Sequence, residues 1–253
     1  MVLLDGKTLA NKIISNLQPR GTLHIILVGD NPASLKYVSL KQQKCQEIGQ
    51  DCVIHSLPQT ISEQEIISLI NNLNNNPQVT GFFVQLPLPS NLDKNIILSS
   101  IVQSKDVDGL TPNSPYTPAV VKGIVHLLIE YQLLPTVKTA VIINDSNLIG
   151  KPLEKFLLSK KIQVTLCNEF TKNISEISRG ADLLISATGV KGLVTKDYIK
   201  PGAIVIDAAS GDVNFTEVSE VAGYITPTYG CIGPLTIACL LENLTSPPTA
   251  ILT

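Results

Sequence analysis

Short aliphatic segments alternate with segments of helical periodicity along most of the chain, and this alternation limits the possible folds most. In the first part, strands are predicted at residues 23–28, 52–57 and 79–86, and helices lie between them. One of these helices begins at a capping box made by Ser62 and Glu65. Strands that are apolar throughout and are joined by helices are typical of a parallel sheet covered on both faces. The sequence therefore predicts an α/β protein.

A proline-rich segment divides this pattern into two parts. Residues 106–118 hold three prolines and a glycine, which predicts a loop or linker. A helix is predicted at 120–134, and strands then return at 139–143, 162–166, 182–187 and 203–207, before a final helix at 234–244. We therefore expect two lobes, each a mostly parallel sheet with helices on both faces, at 1–117 and 118–232. The second lobe is predicted to be a Rossmann-type nucleotide-binding domain.

Composition excludes several classes of protein. The net charge is −2, aromatic residues make up 4% and there is no tryptophan, so nothing favours a nucleic-acid partner. Charged residues are only 16% and the mean hydropathy is +0.24, which excludes a disordered chain. No apolar run approaches the roughly 18 residues that span a bilayer. We expect no membrane partner.

The cysteines and the first residues indicate a reducing compartment. The cysteines are Cys45, Cys52, Cys167, Cys231 and Cys239. Because their number is odd and they form no CxxC pair, a disulfide framework and a zinc site are both disfavoured, and no metal is expected. The start of the chain lacks the basic region of a signal peptide. We expect a cytoplasmic protein.

Three residues of the first part are candidates for proton chemistry. Tyr37 and Lys41 lie four apart on one predicted helix and share a face, where a partly desolvated lysine can move protons. Gln85 lies at the carboxyl end of an apolar strand, where α/β proteins bind ligands. The alternatives are a solvated helix face for the first pair, and a glutamine bonded only to loop backbone.

The segment Asp106-Val107-Asp108-Gly109 carries two carboxylates in one turn. Asp106 is expected to hold the backbone of its own turn, as aspartates commonly do. Asp108 is not needed for that purpose. A carboxylate facing a cleft suits a ring that presents an amidine-like pair of N–H groups. Asp108 is therefore a candidate ligand residue.

Two later turns precede predicted helices. In the segment 144–152, Gly150 permits close packing and Pro152 suits the first helical turn, where a helix N-terminus can hold phosphate. The segment lacks the G-x-G-x-x-G pattern, since Asn144 stands where glycine is expected. The segment 227–236, which includes Gly233 and Pro234, is either a helix entry or the lip of a cleft.

Taken in order, these segments resemble the bifunctional methylenetetrahydrofolate dehydrogenase/methenyltetrahydrofolate cyclohydrolase family. The resemblance rests on four motifs: VGDNPAS at 28–34 continuing to Tyr37 and Lys41, VQLPLP at 84–89, KDVDG at 105–109, and YITP at 224–227 followed by GPLT at 233–236. It extends over nearly the whole chain. It implies two α/β lobes, with folate bound against the first and a nicotinamide cofactor on the second.

The resemblance also implies the reactions and the site residues. The family oxidises 5,10-methylene-tetrahydrofolate by hydride transfer and hydrolyses the methenyl product to 10-formyl-tetrahydrofolate. Lys41 would assist the attack of water, Gln85 would tune Lys41, Tyr37 would stack along folate, and Asp108 would accept hydrogen bonds from the pterin. Gly233 and Pro234 would contact the substrate. The final helix, 233–253, would return to the first lobe, and the second lobe would form a homodimer.

The second lobe departs from the family pattern where the cofactor would bind. The implied cofactor-binding residues are Asn144, Asp145, Ser146, Gly150, Glu169, Thr188 and Ser210. Glu169 lies about 25 residues after Asn144, close to the roughly 20 expected for an acid that binds the ribose 2′-OH. Asp145 adds a second negative charge. Because both carboxylates would repel a 2′-phosphate, we expect NAD rather than NADP.

Other functions remain open from the sequence. A Tyr-x-x-x-Lys spacing also occurs in short-chain dehydrogenases, although there it follows the dinucleotide-binding turn and here it precedes that turn by about a hundred residues. A cyclohydrolase-only protein, or a non-catalytic folate-binding protein, with a degenerate dinucleotide site is the second alternative. Lys41 argues against a pure binding protein, which would not need it.

Overall fold

The structure is a computed structural model that describes residues 1–111 and 113–246. The strands are β1 (Val2–Leu3), β2 (Thr22–Val28), β3 (Asp51–Leu57), β4 (Val79–Val84), β5 (Thr139–Ile143), β6 (Gln163–Cys167), β7 (Leu183–Ser186), β8 (Ile204–Asp207) and β9 (Tyr224–Ile225). The α-helices are α1 (Gly6–Ile14), α2 (Pro32–Glu47), α3 (Glu63–Asn75), α4 (Lys94–Ser99), α5 (Ala119–Glu130), α6 (Gly150–Ser159), α7 (Ile174–Ser178), α8 (Phe215–Ser219) and α9 (Ile232–Thr245).

The chain forms two compact units. The six-stranded unit combines Met1–Ile13 with Pro118–Cys239, and the three-stranded unit combines Ile14–Thr117 with the described residues 240–246. All pairs of neighbouring strands in both sheets are parallel. The predicted α/β class with two parallel sheets is therefore confirmed. Which ligand each unit binds stays a prediction.

In the three-stranded unit, β2 lies between β3 and β4. On one face, Ile26, Phe82 and Val84 pack with Ile66 and Ile70 of α3 in one apolar core. The predicted capping box starts α3: the Ser62 hydroxyl accepts from the Glu65 amide at 3.3 Å, and Glu65 accepts from the Ser62 amide at 3.0 Å. Helix α2 also begins at a side-chain cap, since the Asn31 side chain accepts hydrogen bonds from the amides of Ala33 and Ser34.

Strand β4 ends earlier than the sequence predicts. It stops at Val84, whereas the apolar run predicts a strand over 79–86. The Gln85 amide still donates to the Ile26 carbonyl at 2.8 Å, but Pro87 has no amide hydrogen with which to continue the ladder. Gln85 is therefore the last residue held by the sheet, and its side chain lies at the sheet's carboxyl edge.

In the six-stranded unit the strand order is β1-β9-β8-β7-β5-β6. Strand β5 has β6 on one side and β7 on the other, so the chain reverses its direction of winding between β5 and β7. In open α/β sheets this reversal opens a crevice at the carboxyl ends of the two strands, where ligands bind. The predicted Rossmann-type arrangement is confirmed, and the crevice lies between the segments that follow β5 and β7.

Both ends of the described chain take part in these units. The two-residue strand β1, which the sequence did not predict, pairs Leu3 with Ile225 of β9. At the other end, Asn243 in α9 donates to the carbonyls of Val107 and Thr117 at 2.9 and 3.1 Å. Residue 112 of the predicted linker and residues 247–253 of the predicted final helical segment lie outside the described residues. No helix in the described ranges has the length and hydropathy of a membrane span.

Candidate active site and cofactor-binding turn

Lys41 is buried on α2, with 3% of its surface exposed. Its Nζ lies 4.0 Å from the centre of the Phe83 ring and 5.4 Å from that of Tyr37. Tyr37 precedes Lys41 by one helical turn, as its spacing predicts, and Phe83 belongs to β4. The ammonium group is thus held against two aromatic rings rather than extended into solvent.

Gln85 orients the Lys41 side chain. Its Oε1 accepts from Lys41 Nζ at 3.2 Å, and its Nε2 donates to the Leu86 carbonyl at 2.7 Å. The second bond fixes which end of the amide faces the lysine, because the Leu86 carbonyl can only accept and so must face the NH₂ group of Gln85. The alternative in which Gln85 bonds only to loop backbone is therefore wrong.

Burial lowers the pKa of Lys41, because the charged form loses its hydration. The negative charge of Asp108 opposes this effect, and the thiols of Cys45 and Cys52 oppose it more weakly. Lys41 is thus a lysine whose neutral form is more accessible than in water. Such a group can accept a proton at a lower pH than a lysine in water can.

The two aspartates of the 106–109 turn have separate environments. Asp106 is fully buried and accepts from the Leu110 and Thr111 amides at 3.0 and 2.8 Å and from the Thr111 hydroxyl at 2.7 Å. It holds the turn, as expected. Asp108 is partly buried. Burial raises the pKa of Asp108, Lys41 opposes that rise, and Asp106 adds to it.

The structure therefore brings Tyr37, Lys41 and Gln85 into contact and places Asp108 within their electrostatic reach. Sequence reasoning missed Phe83, whose ring lies nearest to the Lys41 ammonium group. The available signal was its place two residues before Gln85, because alternate residues of a strand share a face.

In the other unit, Asn144 organises the turn between β5 and α6. Its Oδ1 accepts from the Ser146 amide at 2.9 Å, the Ser146 hydroxyl at 2.7 Å and the Gly150 amide at 3.1 Å. Its Nδ2 donates to the Ala187 carbonyl at 2.8 Å. Asn144 therefore ties together the segments after β5 and β7, on the two sides of the crevice.

Gly150 is required by a close backbone approach. A Cβ at this position would lie 2.0 Å from the Asn144 carbonyl oxygen. Any side chain would push the turn away from α6. The turn thus performs the packing function of a dinucleotide-binding glycine, although asparagine replaces the earlier glycine of the pattern.

Of the two predicted acidic residues, Asp145 lies in the turn after β5 and Glu169 follows the end of β6. Asp145 accepts from Asn168 Nδ2 at 2.8 Å, and Glu169, the next residue, is exposed. The side chain of Phe170 is 81% exposed. Asp145 is therefore linked to the segment that carries Glu169.

The segments after β7 and β8 are held by carboxylates. Asp212, 1% exposed, accepts on Oδ2 from the Ser186 hydroxyl at 2.6 Å and from the Thr188 amide and hydroxyl at 2.7 and 2.9 Å. Within the described residues, its Oδ1 has no hydrogen-bond partner. Ser210 has a φ of 62°, a left-handed conformation that is uncommon for serine. Asp212 was not predicted, and no motif marks it.

Gly233 and Pro234 lie in the first turn of α9, where a missing proline amide costs no hydrogen bond. Both residues belong to the six-stranded unit. The other predicted site residues of the folate site belong to the three-stranded unit: Tyr37, Lys41, Gln85 and Asp108. Their predicted contact with substrate stays a prediction.

Comparisons with known proteins cover both units. Residues 4–108 match the catalytic domain of tetrahydrofolate dehydrogenase/cyclohydrolase, and residues 117–249 match its NAD(P)-binding domain. The bifunctional protein FolD of Thermodesulfovibrio yellowstonii is 42% identical, over 95% of this chain and 94% of that protein.

Solved structures agree with this match. The crystal structure of the bifunctional enzyme FolD from Campylobacter jejuni is 40% identical, with a TM-score of 0.90 over 97% of each chain. The Trypanosoma brucei FolD complexed with NADP cofactor and inhibitor is 28% identical, with a TM-score of 0.91 over 96% of this chain and 95% of that chain. The predicted resemblance is confirmed: the chain belongs to the tetrahydrofolate dehydrogenase/cyclohydrolase family.

Proposed function

We propose that the chain oxidises 5,10-methylene-tetrahydrofolate to 5,10-methenyl-tetrahydrofolate with a nicotinamide cofactor, and hydrolyses the product to 10-formyl-tetrahydrofolate. The observation that carries the proposal is the buried Lys41, bonded to Gln85, in a chain that matches both domains of the family. The three full-length FolD relatives and both domain matches support the two activities together, rather than hydrolysis alone.

The hydrolysis needs a proton acceptor beside a cationic substrate. Water attacks the methenyl carbon, and a new C–O bond forms while the water proton passes to neutral Lys41. The bond from that carbon to one folate nitrogen then breaks as this nitrogen takes the proton from Lys41 and the new hydroxyl group releases its proton to solvent, which leaves the formyl group on the other nitrogen. A protonated lysine would repel the substrate cation, so the lowered pKa of Lys41 serves both binding and proton transfer.

The remaining residues of this unit position the reactants. Gln85 holds Lys41 Nζ in place, and Tyr37 presents its ring along one side of the bound folate. Asp108 accepts hydrogen bonds from the N–H groups of the pterin ring, which replace the hydration that the carboxylate loses on burial. Gly233 and Pro234 remain proposed substrate contacts from the resemblance.

The turn after β5 fits a dinucleotide. The bound nicotinamide ring supplies the hydride acceptor for the oxidation. Asn144, Ser146 and Gly150 form the turn at the start of α6, next to the strand-order reversal that such cofactors use. Thr188 and Ser210 lie on the segments after β7 and β8, and Asp212 Oδ2 accepts from the amide and hydroxyl of Thr188.

We further propose that NAD is preferred to NADP. The support is electrostatic: the exposed Glu169 follows β6, where a ribose is expected, and Asp145, in the turn after β5, is hydrogen-bonded to the neighbouring Asn168. A carboxylate there accepts from a 2′-OH and repels a 2′-phosphate.

A homodimer in the cytoplasm completes the proposal. The apolar strands β5, β7 and β8 are buried in their own sheet, so their composition is explained without a partner. The proposed dimer therefore rests on the family resemblance. Light scattering is expected to give twice 27.2 kDa, and a monomer at all concentrations would contradict it.

Substitution of Lys41 tests the main proposal. Lys41→Met keeps the length of the side chain and removes the amine. Methenyl-folate hydrolysis, followed by absorbance, should fall by about 10²–10⁴, the usual contribution of acid–base assistance. Lys36→Met, an exposed position on the same helix, is the matched control and should retain the rate. Hydrolysis at the parent rate by Lys41→Met would show that Lys41 has another role.

A further inference from the structure

The peptide group that joins Ala187 to Thr188 is held at both of its polar ends. Its carbonyl, on Ala187, accepts from Asn144 Nδ2 at 2.8 Å. Its amide, on Thr188, donates to Asp212 Oδ2 at 2.7 Å. Asn144 belongs to the turn after β5, Asp212 to the segment after β8, and the peptide group itself to the segment after β7. One peptide group therefore joins the ends of three strands of the six-stranded unit.

The side chain of Thr188 adds to this connection. Its hydroxyl donates to Asp212 Oδ2 at 2.9 Å and accepts from the Val190 amide at 3.0 Å. A threonine hydroxyl has only one hydrogen, and here it is directed at Asp212, so the side chain has none left to donate to a ligand. Thr188 therefore serves to hold the segment after β7 in place.

The segment after β8 is the fixed side of this contact. Asp207, 2% exposed, accepts from three backbone amides of that segment. These amides are those of Ala209, Gly211 and Val213, at 3.1, 2.8 and 3.1 Å. Asp212, which lies within this bracketed stretch, is itself buried. By contrast, residues 188–192 are all exposed, so their position depends on hydrogen bonds rather than on packing in a core.

We propose that Asp212 is a positioning residue for the nicotinamide cofactor: together with Asn144 it fixes the Ala187–Thr188 peptide group, and thereby the side of the crevice that follows β7. The crevice lies between the segments after β5 and β7, so its width depends on how these two segments are held. Asp212 acts through residues 188–192 and does not itself touch the cofactor. Its role in binding rests on the proposed use of a nicotinamide cofactor, whereas its hold on the segment does not.

A carboxylate is well suited to this position. Hydrogen bonds to an ionised acceptor are shorter and stronger than those between neutral groups, and the three donors lie 2.6–2.9 Å from Asp212 Oδ2. A carboxylate at the amide end of the peptide group and a donor at its carbonyl end also polarise it in the same direction, so each bond strengthens the other. Loss of either partner should therefore loosen the same peptide group.

Cofactor binding tests the role of Asp212. In calorimetric titrations of the full-length protein with NAD, and in parallel with NADP, we expect Asp212→Ala to raise the Kd by about 3–30-fold, as is typical of residues that act on a ligand through others. Asp182→Ala is the matched control. Asp182 also accepts from two backbone amides, those of Lys138 and Thr139, but it does so at the amino ends of β5 and β7. Its loss should leave the Kd at the parent value.

A second substitution separates the position of the segment from the stability of the protein. In Asp212→Asn the side-chain oxygen can still accept from the Thr188 amide. The new NH₂ group takes the place of Oδ1, which has no hydrogen-bond partner among the described residues. Because a buried donor without an acceptor destabilises the folded state, the free energy of unfolding should fall while the Kd of NAD stays near the parent value. A merely structural role for Asp212 would move both quantities together.

Hydrogen exchange follows the segment in the absence of any cofactor. The amide of Thr188 can be observed by NMR of the isotope-labelled protein. Asn144→Gly removes the bond at the carbonyl end of the peptide group, yet we expect the Thr188 amide to exchange about tenfold faster, as it should in Asp212→Ala. Amides of an exposed segment exchange by local opening, so Asp182→Ala should leave this rate unchanged.

The outcomes distinguish this proposal from the proposed function. If the parent binds NAD or NADP and Asp212→Ala binds it equally well, or if Asp182→Ala weakens binding as much, Asp212 is not a positioning residue. An unchanged exchange rate of the Thr188 amide in both Asp212→Ala and Asn144→Gly would overturn the shared hold on the peptide group. A parent that binds neither cofactor would instead overturn the proposed dehydrogenase activity, together with the role of Asp212 in it.

Discussion

Lys41 Nζ donates to Oε1 of Gln85 at 3.2 Å, and this single hydrogen bond joins helix α2 to the carboxyl end of β4. The bond forms between a cation donor and a neutral acceptor, so it orients the amine without stabilising its charge as a carboxylate would. Burial lowers the pKa of Lys41, so its neutral form is more accessible than that of a lysine in water. Two predictions depend on this relationship.

The first concerns pH. Hydrolysis should rise with pH and level off at a pKa below the usual value of about 10.4 for lysine, because neutral Lys41 accepts the proton. The unfolded chain holds a proton on Lys41 at a pH where the folded chain does not, so folding stability from this group also increases with pH across that interval. Denaturant unfolding of Lys41→Met should lack this increase. If the stability of Lys41→Met depends on pH in the same way as that of the parent, Lys41 has an ordinary pKa.

The second concerns Gln85→Glu. A carboxylate beside the amine favours the charged lysine, so the pKa of Lys41 should rise and the rate profile should move to higher pH. We expect the hydrolysis rate at pH 7 to fall by about tenfold for each unit by which the pKa of Lys41 rises. Gln85→Met, which removes the hydrogen bond without adding charge, is the control and should not move the profile upward. Rate profiles of both variants from pH 6 to 10 make the comparison.

Asn144 provides a separate prediction for the cofactor side. Asn144→Gly restores the glycine of the common pattern but removes three accepted hydrogen bonds and the link to Ala187. We expect a loss of about 1–3 kcal/mol in stability and a higher KM for the nicotinamide cofactor, because the turn is no longer fixed. Hydrolysis should be unaffected. Asn147→Gly, an exposed position in the same turn, is the control, and a cofactor KM equal to the parent value in Asn144→Gly would contradict the assignment.

The charge at Glu169 should select the cofactor. We expect kcat/KM for methylene-folate oxidation to be higher with NAD than with NADP in the parent. Glu169→Arg should shift the ratio toward NADP, because a guanidinium pairs with a 2′-phosphate. Glu220→Arg, an exposed position at the end of α8 in the same unit, supplies the control for net charge. A higher kcat/KM with NADP in the parent, or no shift in Glu169→Arg, would place the Glu169 side chain away from the ribose.

Asp182 should contribute to stability in a pH-dependent way. Lys200 donates to it at 2.5 Å and the amides of Lys138 and Thr139 at 2.8 and 2.9 Å, and these bonds lower the pKa of Asp182. A carboxyl whose pKa is lowered by folding stabilises the protein above about pH 4 and loses that contribution as the pH falls. Asp182→Asn should cost about 1–3 kcal/mol at pH 7 and less at pH 3. Chemical denaturation at both pH values tests this, with exposed Asp197→Asn as control.

Local features of the fold and site could be predicted from the sequence. Apolar runs gave the inner strands, and the helical spacing of Tyr37 and Lys41 placed both on one face. Features that depend on distant residues could not be predicted in this way. The ring of Phe83 meets Lys41 only because β4 packs next to α2, and β1 is too short for its residues to show a period. The three donors that converge on Asp212 come from segments about twenty-five residues away in the sequence.

The pairing of Leu3 with Ile225 has a consequence for biosynthesis. The ribosome makes this edge strand early and its partner more than two hundred residues later, which at about 5–20 residues per second is a wait of tens of seconds or less. The six-stranded unit can be completed only after the three-stranded unit, which interrupts it in the sequence, has been translated. The three-stranded unit in turn needs Asn243, which is translated later still. Each unit is therefore completed by a segment that is translated after most of the other unit. Stalled nascent chains ending near residue 200 should therefore leave the first residues open to proteolysis, and chains released at full length should protect them.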